Sequence, residues 1–169
     1  MQNAKDITLR LLIVDDSAES AEAIVSTLRN SGIAVRPSRP QSPDELGQAL
    51  SQPIDLVLAA NSYAIPQLLL TQQVAASGKD IPMILLTDSI DAQMLLDSAA
   101  NGIRAIALRQ QPDHLLSVVQ TEWTDLQARR GLRRIEAQMR ETERRCDALI
   151  SSSRDPIAYI HEGMHIRAN

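Results

Sequence analysis

Aromatic side chains are scarce in this sequence of 169 residues, which contains one Trp, two Tyr and no Phe. The core must therefore be built from aliphatic side chains, and a surface that stacks nucleic-acid bases on aromatic rings is difficult to assemble. The formal net charge of -4 also disfavours contacts with a phosphate backbone. We therefore expect no nucleic-acid partner.

Cysteine and long apolar segments are scarce as well. The single cysteine, Cys146, excludes an internal disulfide framework and a zinc site with several cysteines, and it is typical of a reducing compartment. No segment approaches the roughly 20 apolar residues of a membrane span, and residues 1–10 lack the apolar run of a signal peptide. These absences predict a cytoplasmic protein that does not insert into membranes.

The sequence also lacks recognisable catalytic and cofactor motifs. It has no Gly-rich phosphate-binding loop and no Ser–His–Asp order. His114, in the first turn of a predicted helix, is expected to face solvent, and His161 and His165 have no further metal ligands nearby. We therefore expect no metal, no cofactor and no enzymatic activity.

The residues that are present form short apolar segments that alternate with helical patterns. Apolar segments without polar alternation are typical of parallel strands that helices cover on both faces. The sequence therefore predicts an α/β fold with a doubly wound, five-stranded parallel sheet. The expected strands are residues 9–14, 33–36, 55–60, 81–87 and 103–108, and the expected helices are residues 18–31, 66–77 and 89–101 and two that begin at Pro43 and Pro112.

The helix that begins at Pro43 has the best-marked start in the chain. Ser42 is predicted to be its N-cap, Pro43 stands at the first helical position, and Glu45 completes a capping box.

A long final helix is predicted from Pro112 to about Ile150. Its apolar stripe has two phases, of which the first is expected to pack on the sheet through Leu116, Val119, Trp123 and Leu126. The second phase has the heptad spacing of a coiled-coil seam, with a and d positions at Leu132, Ile135, Met139, Thr142, Cys146 and Leu149. We predict a homodimer through this extended helix, and a solvated connecting helix is the alternative.

The last residues differ in character from the rest of the chain. Ser151 to Ser153 and Pro156 break the helix, and two β-like segments flank residues 161–164, which predicts a hairpin. Because two strands alone are marginally stable, we interpret this segment as the incomplete beginning of another domain. The predicted organisation is one α/β domain, an extended signalling helix and this beginning, at residues 1–126, 127–150 and 151–169.

Two adjacent carboxylates, Asp15 and Asp16, follow the first predicted strand, at the edge where open α/β sheets bind ligands. Such a pair can bind Mg²⁺, although acidic residues at strand ends also commonly cap the next helix. One hypothesis is an enzyme that uses these carboxylates, but the sequence offers no acid–base partner for them, which disfavours it.

Residues 8–126 resemble the receiver domain of two-component response regulators. LLIVDD is similar to the first receiver strand with its metal-binding acidic pair, and IPMILLT is similar to the fourth strand, which ends in the hydroxyl residue Thr87. NGIRAIALR is similar to the run that leads to the basic residue of the fifth strand. The resemblance implies the flavodoxin-like receiver fold.

Several functional positions of a receiver are changed. The resemblance of IDLVLAA places the phosphoacceptor aspartate at Ala60, and NGIRAIALR places the receiver lysine at Arg109, the following proline at Gln110 and the aromatic switch residue at Ile106. A methyl group has no lone pair with which to attack phosphorus. The resemblance thus implies a degenerate receiver that forms no aspartyl phosphate.

Arg109 offers an explanation for the altered pocket. A guanidinium stays charged and forms bidentate pairs with carboxylates, so we hypothesise that Arg109 forms a salt bridge with the Asp15/Asp16 cluster; the alternative is that it points to solvent. A receiver that is switched by a non-phosphate ligand or ion in the Asp15/Asp16/Arg109 pocket is the alternative function.

The tail ALISSSRDPIAYIHEGMHIRAN resembles the start of a PAS domain. An inactive receiver, a long helix and a PAS start, in this order, resemble the FimX-type regulators of type IV pili, which are cyclic-di-GMP effectors. This resemblance implies a cytoplasmic, polar regulator of twitching motility. The receiver module of such a regulator would serve in dimerisation, interaction and localisation, with protein partners at the cell pole or in the pilus machinery.

Overall fold

The structure is a computed structural model that describes residues 7–60, 62–154, 158–161 and 164–168. The chain divides into two compact units, of which the first ends at Leu126 and the second begins at Gln127. The first unit contains β1 (Leu9–Val14), α1 (Ala18–Asn30), β2 (Val35–Ser38), α2 (Pro43–Ser51), β3 (Leu56–Ala59), α3 (Gln67–Ala76), β4 (Met83–Thr87), α4 (Ala92–Ala100), β5 (Ala105–Leu108) and the start of α5 (Pro112–Ser152).

The five strands form one parallel sheet in the order β2-β1-β3-β4-β5. This order is that of a doubly wound, flavodoxin-like sheet, so the predicted fold class is confirmed. The order also brings the carboxyl ends of β1, β3, β4 and β5 to one edge of the sheet, where the predicted site residues follow their strands.

Alternate side chains of each central strand enter two separate hydrophobic clusters. In β1, Leu11 and Ile13 join the cluster under α1 and α5, whereas Leu12 and Val14 join the cluster under α2 and α3. All four are almost completely inaccessible to water. Burial on both faces explains why the strand sequence is apolar without alternation.

Four of the five predicted strands begin one or two residues later than expected: β2 at Val35, β3 at Leu56, β4 at Met83 and β5 at Ala105. Gly32, with φ +85°, ends α1 in the left-handed conformation, and the N–H of Ile33 still donates to the carbonyl of Leu28 at 3.1 Å. The second strand therefore starts at Val35 instead of Ile33. Asp55 directly precedes β3, and its N–H already donates to the carbonyl of Arg10 at 2.8 Å.

The helix starts follow their capping residues. Ser42 accepts a hydrogen bond of 3.2 Å from the N–H of Glu45, as predicted, but the Glu45 carboxylate accepts from the N–H of Gln41 at 2.7 Å instead of that of Ser42. The fourth helix begins at Ala92, three residues later than predicted, because Asp91 accepts from the N–H of Met94 at 2.7 Å and caps it.

The part of α5 in the first unit packs on the sheet with a different set of side chains from the predicted stripe. Leu115, Val119 and Leu126 are buried, whereas Leu116 and Trp123 are only partly buried. The prediction that the last helix packs on the sheet is thus confirmed, with Leu115 as the buried residue that it missed.

The second unit consists of the remainder of α5, as far as Ser152, and the antiparallel pair β6 (Ala158–His161) and β7 (Met164–Ala168). The predicted hairpin strands are present. Residues 162 and 163 of its predicted turn lie outside the described residues. None of the helices in the described ranges combines the length and the hydropathy that a bilayer crossing requires.

Candidate functional site

The five predicted pocket residues meet at the carboxyl edge of the sheet. Asp15 and Asp16 follow β1, Ala60 follows β3, Thr87 ends β4, and Arg109 follows β5. The hydrogen bonding between strands extends one residue beyond the ends of β3 and β5. The N–H of Ala60 donates to the carbonyl of Val14, and the N–H of Arg109 donates to the carbonyl of Thr87, both at 2.8 Å.

Asp15 is buried and is held from two sides. Its Oδ2 lies 3.0 Å from Nη1 of Arg109, and its Oδ1 accepts from the N–H of Ser17 at 2.9 Å. The Asp15 side chain is only 4% exposed. A carboxylate this deep requires a positive partner and hydrogen bonds, since an isolated buried charge is costly.

Arg109 connects three elements through one guanidinium. Besides Asp15, its Nη1 donates to the hydroxyl of Ser20 at 2.7 Å, and its Nε lies 3.6 Å from Oδ1 of Asp88. The predicted salt bridge is present with Asp15. Among the described residues no ion pair joins Arg109 to Asp16, so the predicted bridge to the acidic pair is made through Asp15 alone.

Asp16 instead binds the loop between β3 and α3. Its Oδ1 accepts from the hydroxyl of Ser62 and its Oδ2 from the N–H of Tyr63, both at 2.8 Å. The Ser62 hydroxyl oxygen in turn accepts from the N–H of Ile65 at 3.1 Å. These bonds, with the charge of Arg39 in a lesser role, hold the pKa of the Asp16 carboxyl below its usual range.

The remaining predicted positions hold an alanine, a threonine, an isoleucine and a glutamine. Ala60 packs against the α1/α5 cluster, and the hydroxyl of Thr87 donates to the carbonyl of Ser89 at 2.8 Å within its own loop. At the switch positions, Ile106 is half-buried and Gln110 is exposed. The two chain neighbours of Ile106, Ala105 and Ala107, belong to or pack against the α1/α5 cluster. The adjoining Asn61 lies outside the described residues.

Sequence reasoning missed several partners at this edge. Ser20, Ser62 and Asp88 each hold a predicted site residue, and the signal for Asp88 was its position directly after β4. His114 was expected to face solvent, but it is half-buried and its Nδ1 accepts from the N–H of Leu108 at 3.1 Å. That expectation was wrong because the fifth strand ends with a free N–H within reach of the first turn of α5.

Both carboxylates of the site have partners within the protein. Asp15 is neutralised by Arg109, and Asp16 is satisfied by a hydroxyl and an amide. In the described part of the chain, no group of three or more His, Cys, Asp or Glu side chains is arranged to hold a metal ion. A cation at the acidic pair would stand beside a guanidinium that already binds one of its ligands.

The predicted seam residues of α5 are exposed within this chain. The side chains of Leu132, Ile135, Met139 and Leu149 are each more than half exposed, and Thr142 and Cys146 are exposed as well. On the same helix, Glu141 and Arg145 form an i,i+4 ion pair at 2.8 Å. A row of apolar side chains at heptad spacing on one exposed helix is the pattern of a surface that another helix covers.

Comparison with known proteins identifies the fold. No protein-family profile matches the chain, and no curated protein matches it. Its structure is similar to CheY-like receiver domains of response regulators. The chain therefore has the receiver fold.

Two of these structures illustrate the extent of the similarity. The chemotaxis protein CheY4 of Vibrio cholerae is 20% identical with a TM-score of 0.57, over 68% of this chain and 98% of that chain. A proposed pilus assembly-related protein of Burkholderia pseudomallei is 13% identical with a TM-score of 0.57, over 69% of this chain and 90% of that chain.

A third similar structure extends further along the chain. It is a fusion protein that carries the trimeric coiled coil of yeast Spc42, 18% identical with a TM-score of 0.58 over 85% of this chain and 97% of that chain.

Proposed function

We propose that this chain is a non-enzymatic signalling module in which a receiver that cannot be phosphorylated serves as a surface for dimerisation, interaction and localisation. The observation that carries the proposal is the pairing of Arg109 with Asp15 at 3.0 Å, beside a methyl group at Ala60. Phosphoryl transfer requires a nucleophile and access of Mg²⁺ to the acidic pair. Ala60 offers no nucleophile, and Arg109 competes with the metal.

Acetyl phosphate tests the loss of phosphorylation. The chain is incubated with acetyl phosphate and Mg²⁺, and its intact mass is measured. We expect no added phosphoryl group on the natural chain. A mass increase that maps to the carboxyl edge of the sheet would refute the proposal.

Two restored variants make a negative result informative. Ala60→Asp returns the carboxylate, and the double variant Ala60→Asp with Arg109→Lys also returns the receiver lysine. We expect the double variant to accept more phosphoryl groups than the single variant, because it removes the guanidinium that pairs with Asp15 and restores the cation that receivers have at this position. This result would show that the assay detects phosphorylation in this fold.

We further propose, from the resemblance to FimX-type regulators, that the module belongs to a cyclic-di-GMP-responsive regulator of type IV pilus twitching motility. The tail's resemblance to the start of a PAS domain supports this proposal, as does the fold shared with a proposed pilus assembly-related protein. The same resemblance places the protein in the cytoplasm at the cell pole, with protein partners there. A fluorescent fusion in a piliated bacterium should form polar foci, and uniform fluorescence would contradict this proposal.

The alternative function, a switch by a non-phosphate ligand or ion in the Asp15/Asp16/Arg109 pocket, requires displacement of Arg109. No contact in the described part of the chain favours such a ligand over the guanidinium. A saturable change in the amide spectrum with Mg²⁺ or inorganic phosphate would support this alternative, and Arg109→Ala should then strengthen the response.

A further inference from the structure

A groove on the first unit lies between α1 and the edge strand β2, and none of the five residues of the carboxyl-edge site lines it. It encloses about 490 Å³, a volume in the range of about 300–1,000 Å³ that small-ligand sites occupy. Small apolar groups form its floor: Ile13, Ala18, Ala21, Val25 and Pro37. These side chains give the groove an apolar surface that a ring can contact.

An arginine stands at each end of this groove. Arg29, in the last turn of α1, donates from Nη2 to the carbonyl of Val35 at 3.1 Å. Arg39, which follows β2, donates from Nη1 to the carbonyls of Asp15 at 3.1 Å and Asp16 at 3.4 Å. The strand between them rises about 3.3 Å per residue, so the two ends are about 13 Å apart.

Neither of these two arginines forms an ion pair in the part of the chain that the structure describes, although the charge of Arg39 also acts on the nearby Asp16 carboxylate. Neither Arg29 nor Arg39 has a carboxylate oxygen within 4 Å there. Their observed bonds use only one terminal nitrogen each, and a guanidinium has five donors. Glu22 is the one acidic residue in the lining, so the groove carries a net positive charge.

The edge of β2 is closed to an added strand. The carbonyl of Val35 points away from β1, because it accepts from Arg29, and residues two apart on a strand share a direction. Pro37 therefore also faces outward, and it has no N–H to offer. An extended peptide cannot pair here, which leaves a compact ligand as the occupant that fits the shape.

We propose that the groove between α1 and β2 binds a small organic anion with an apolar, ring-sized body. The anionic group pairs with Arg29 or Arg39, and the ring covers the floor around Val25 and Pro37. This site is separate from the degenerate pocket, and it stands whether or not the proposed function is correct.

The fluorescent probe 8-anilinonaphthalene-1-sulfonate tests this site, because it joins a sulfonate to apolar rings and brightens when water is excluded. We expect saturable binding to the full chain with one site in the groove. A ligand of this size that makes ordinary contacts should have a Kd of about 10–100 μM.

Paired variants locate the binding. Ser26 and Ala23 are both exposed on α1, but only Ser26 lines the groove. Ser26→Trp should fill the groove and weaken probe binding at least about tenfold. The matched control Ala23→Trp adds the same side chain on the outer face of the helix and should leave the Kd within about twofold.

Charge variants test the anionic half of the proposal and do not rely on filling the groove. Arg29→Gln should weaken binding about three- to tenfold through loss of a charge-assisted hydrogen bond. The control Arg36→Gln removes the same charge from β2 on the opposite face of the sheet. Probe binding that is absent, or equal in the groove variants and their controls, overturns the proposal.

Discussion

Nη1 of Arg109 lies 3.0 Å from Oδ2 of Asp15, although the two residues are 94 positions apart in the chain. The bond joins the loop after β1 to the loop after β5, and the hydroxyl of Ser20 adds α1 to the same nitrogen. The two outer loops of the carboxyl edge are therefore tied together by one side chain. Arg109 therefore supplies a fixed positive charge beside the acidic residues of this edge.

Replacement of Arg109 should destabilise the first unit. Arg109→Ala leaves the nearly buried carboxylate of Asp15 with one backbone donor, which should cost about 1–3 kcal/mol and lower the Tm by roughly 3–9 °C. Arg109→Lys keeps a cation and should lower it less. Thermal unfolding followed by circular dichroism measures the effect, with Arg36→Ala as an exposed control. An unchanged Tm for Arg109→Ala would show that the pair does not hold the edge.

A second ion pair closes the opposite edge of the sheet. Asp55, with a side chain 2% exposed, accepts from Nε of Arg10 at 2.9 Å, from Nη2 at 2.8 Å and from the backbone N–H at 2.9 Å. Asp55→Ala should therefore destabilise the unit by about 2–4 kcal/mol, because it leaves three N–H donors of Arg10 without their acceptor. Urea unfolding midpoints provide the measurement.

The double variant Arg10→Met with Asp55→Leu tests whether the ion pair itself adds stability. The alternative is that each partner only compensates for the buried charge or donor of the other. Apolar replacement of both partners often recovers the loss caused by removal of one. We expect the double variant to be more stable than Asp55→Ala. A double variant that loses the sum of both single effects would contradict this expectation.

The sequence was sufficient to predict the sheet and the carboxyl-edge location of the site. Strands such as β1 are apolar on both faces, which only a covered parallel sheet explains, and parallel strands end at one edge. Ala60, Thr87 and Arg109 could be assigned to that edge through the resemblance of their segments to receiver strands. The start of β2 was less accurate, because Gly32 adds a turn whose hydrogen bonds extend to Ile33.

The partners of individual side chains at this edge could not be predicted from the sequence. Asp15 and Asp16 are adjacent, so nothing local distinguishes the carboxylate that pairs with Arg109 from the one that binds Ser62 and Tyr63. That choice depends on the conformation of the loop after β3, which several tertiary contacts set together. The pair of Arg10 with Asp55 was missed for the same reason, since it depends on the register of β1 and β3.

The Asp16 carboxyl should titrate at a lower pH than an ordinary aspartate. Its pKa is lowered in the folded state by the N–H of Tyr63 and the hydroxyl of Ser62, so its stabilising effect is present above the unfolded pKa of about 4 and is lost as pH falls through the lower, folded pKa. The amide shift of Tyr63 should report a midpoint below that value. Asp16→Asn should abolish this titration, and a midpoint at or above about 4 would contradict the observed hydrogen bonds.

Self-association should depend on the exposed heptad seam of α5. Met139 is 59% exposed at an a position, and Met139→Glu would place like charges opposite each other in a dimer. We expect this variant to raise the dissociation constant about tenfold or more, as measured by light scattering over a concentration series. Ala137→Glu, at the outermost heptad position, is the matched control. A monomer at high concentration for the natural chain would refute the seam.

Cys146 can report the orientation of the two helices, because it is exposed and occupies an a position of the seam. In a parallel, in-register dimer the two Cys146 residues face each other at a Cα separation near the roughly 5.5–6 Å of disulfides, so mild oxidation should give a crosslinked dimer readily. An antiparallel pair would place them at opposite ends and crosslink poorly. The variant Cys146→Ser with a cysteine introduced at Ala137 controls for chance collisions, since that position faces away from the seam. Efficient crosslinking of the control would show that the bond reports collision and not pairing, and a crosslink specific to Cys146 would favour a parallel dimer in which both receivers lie at the same end.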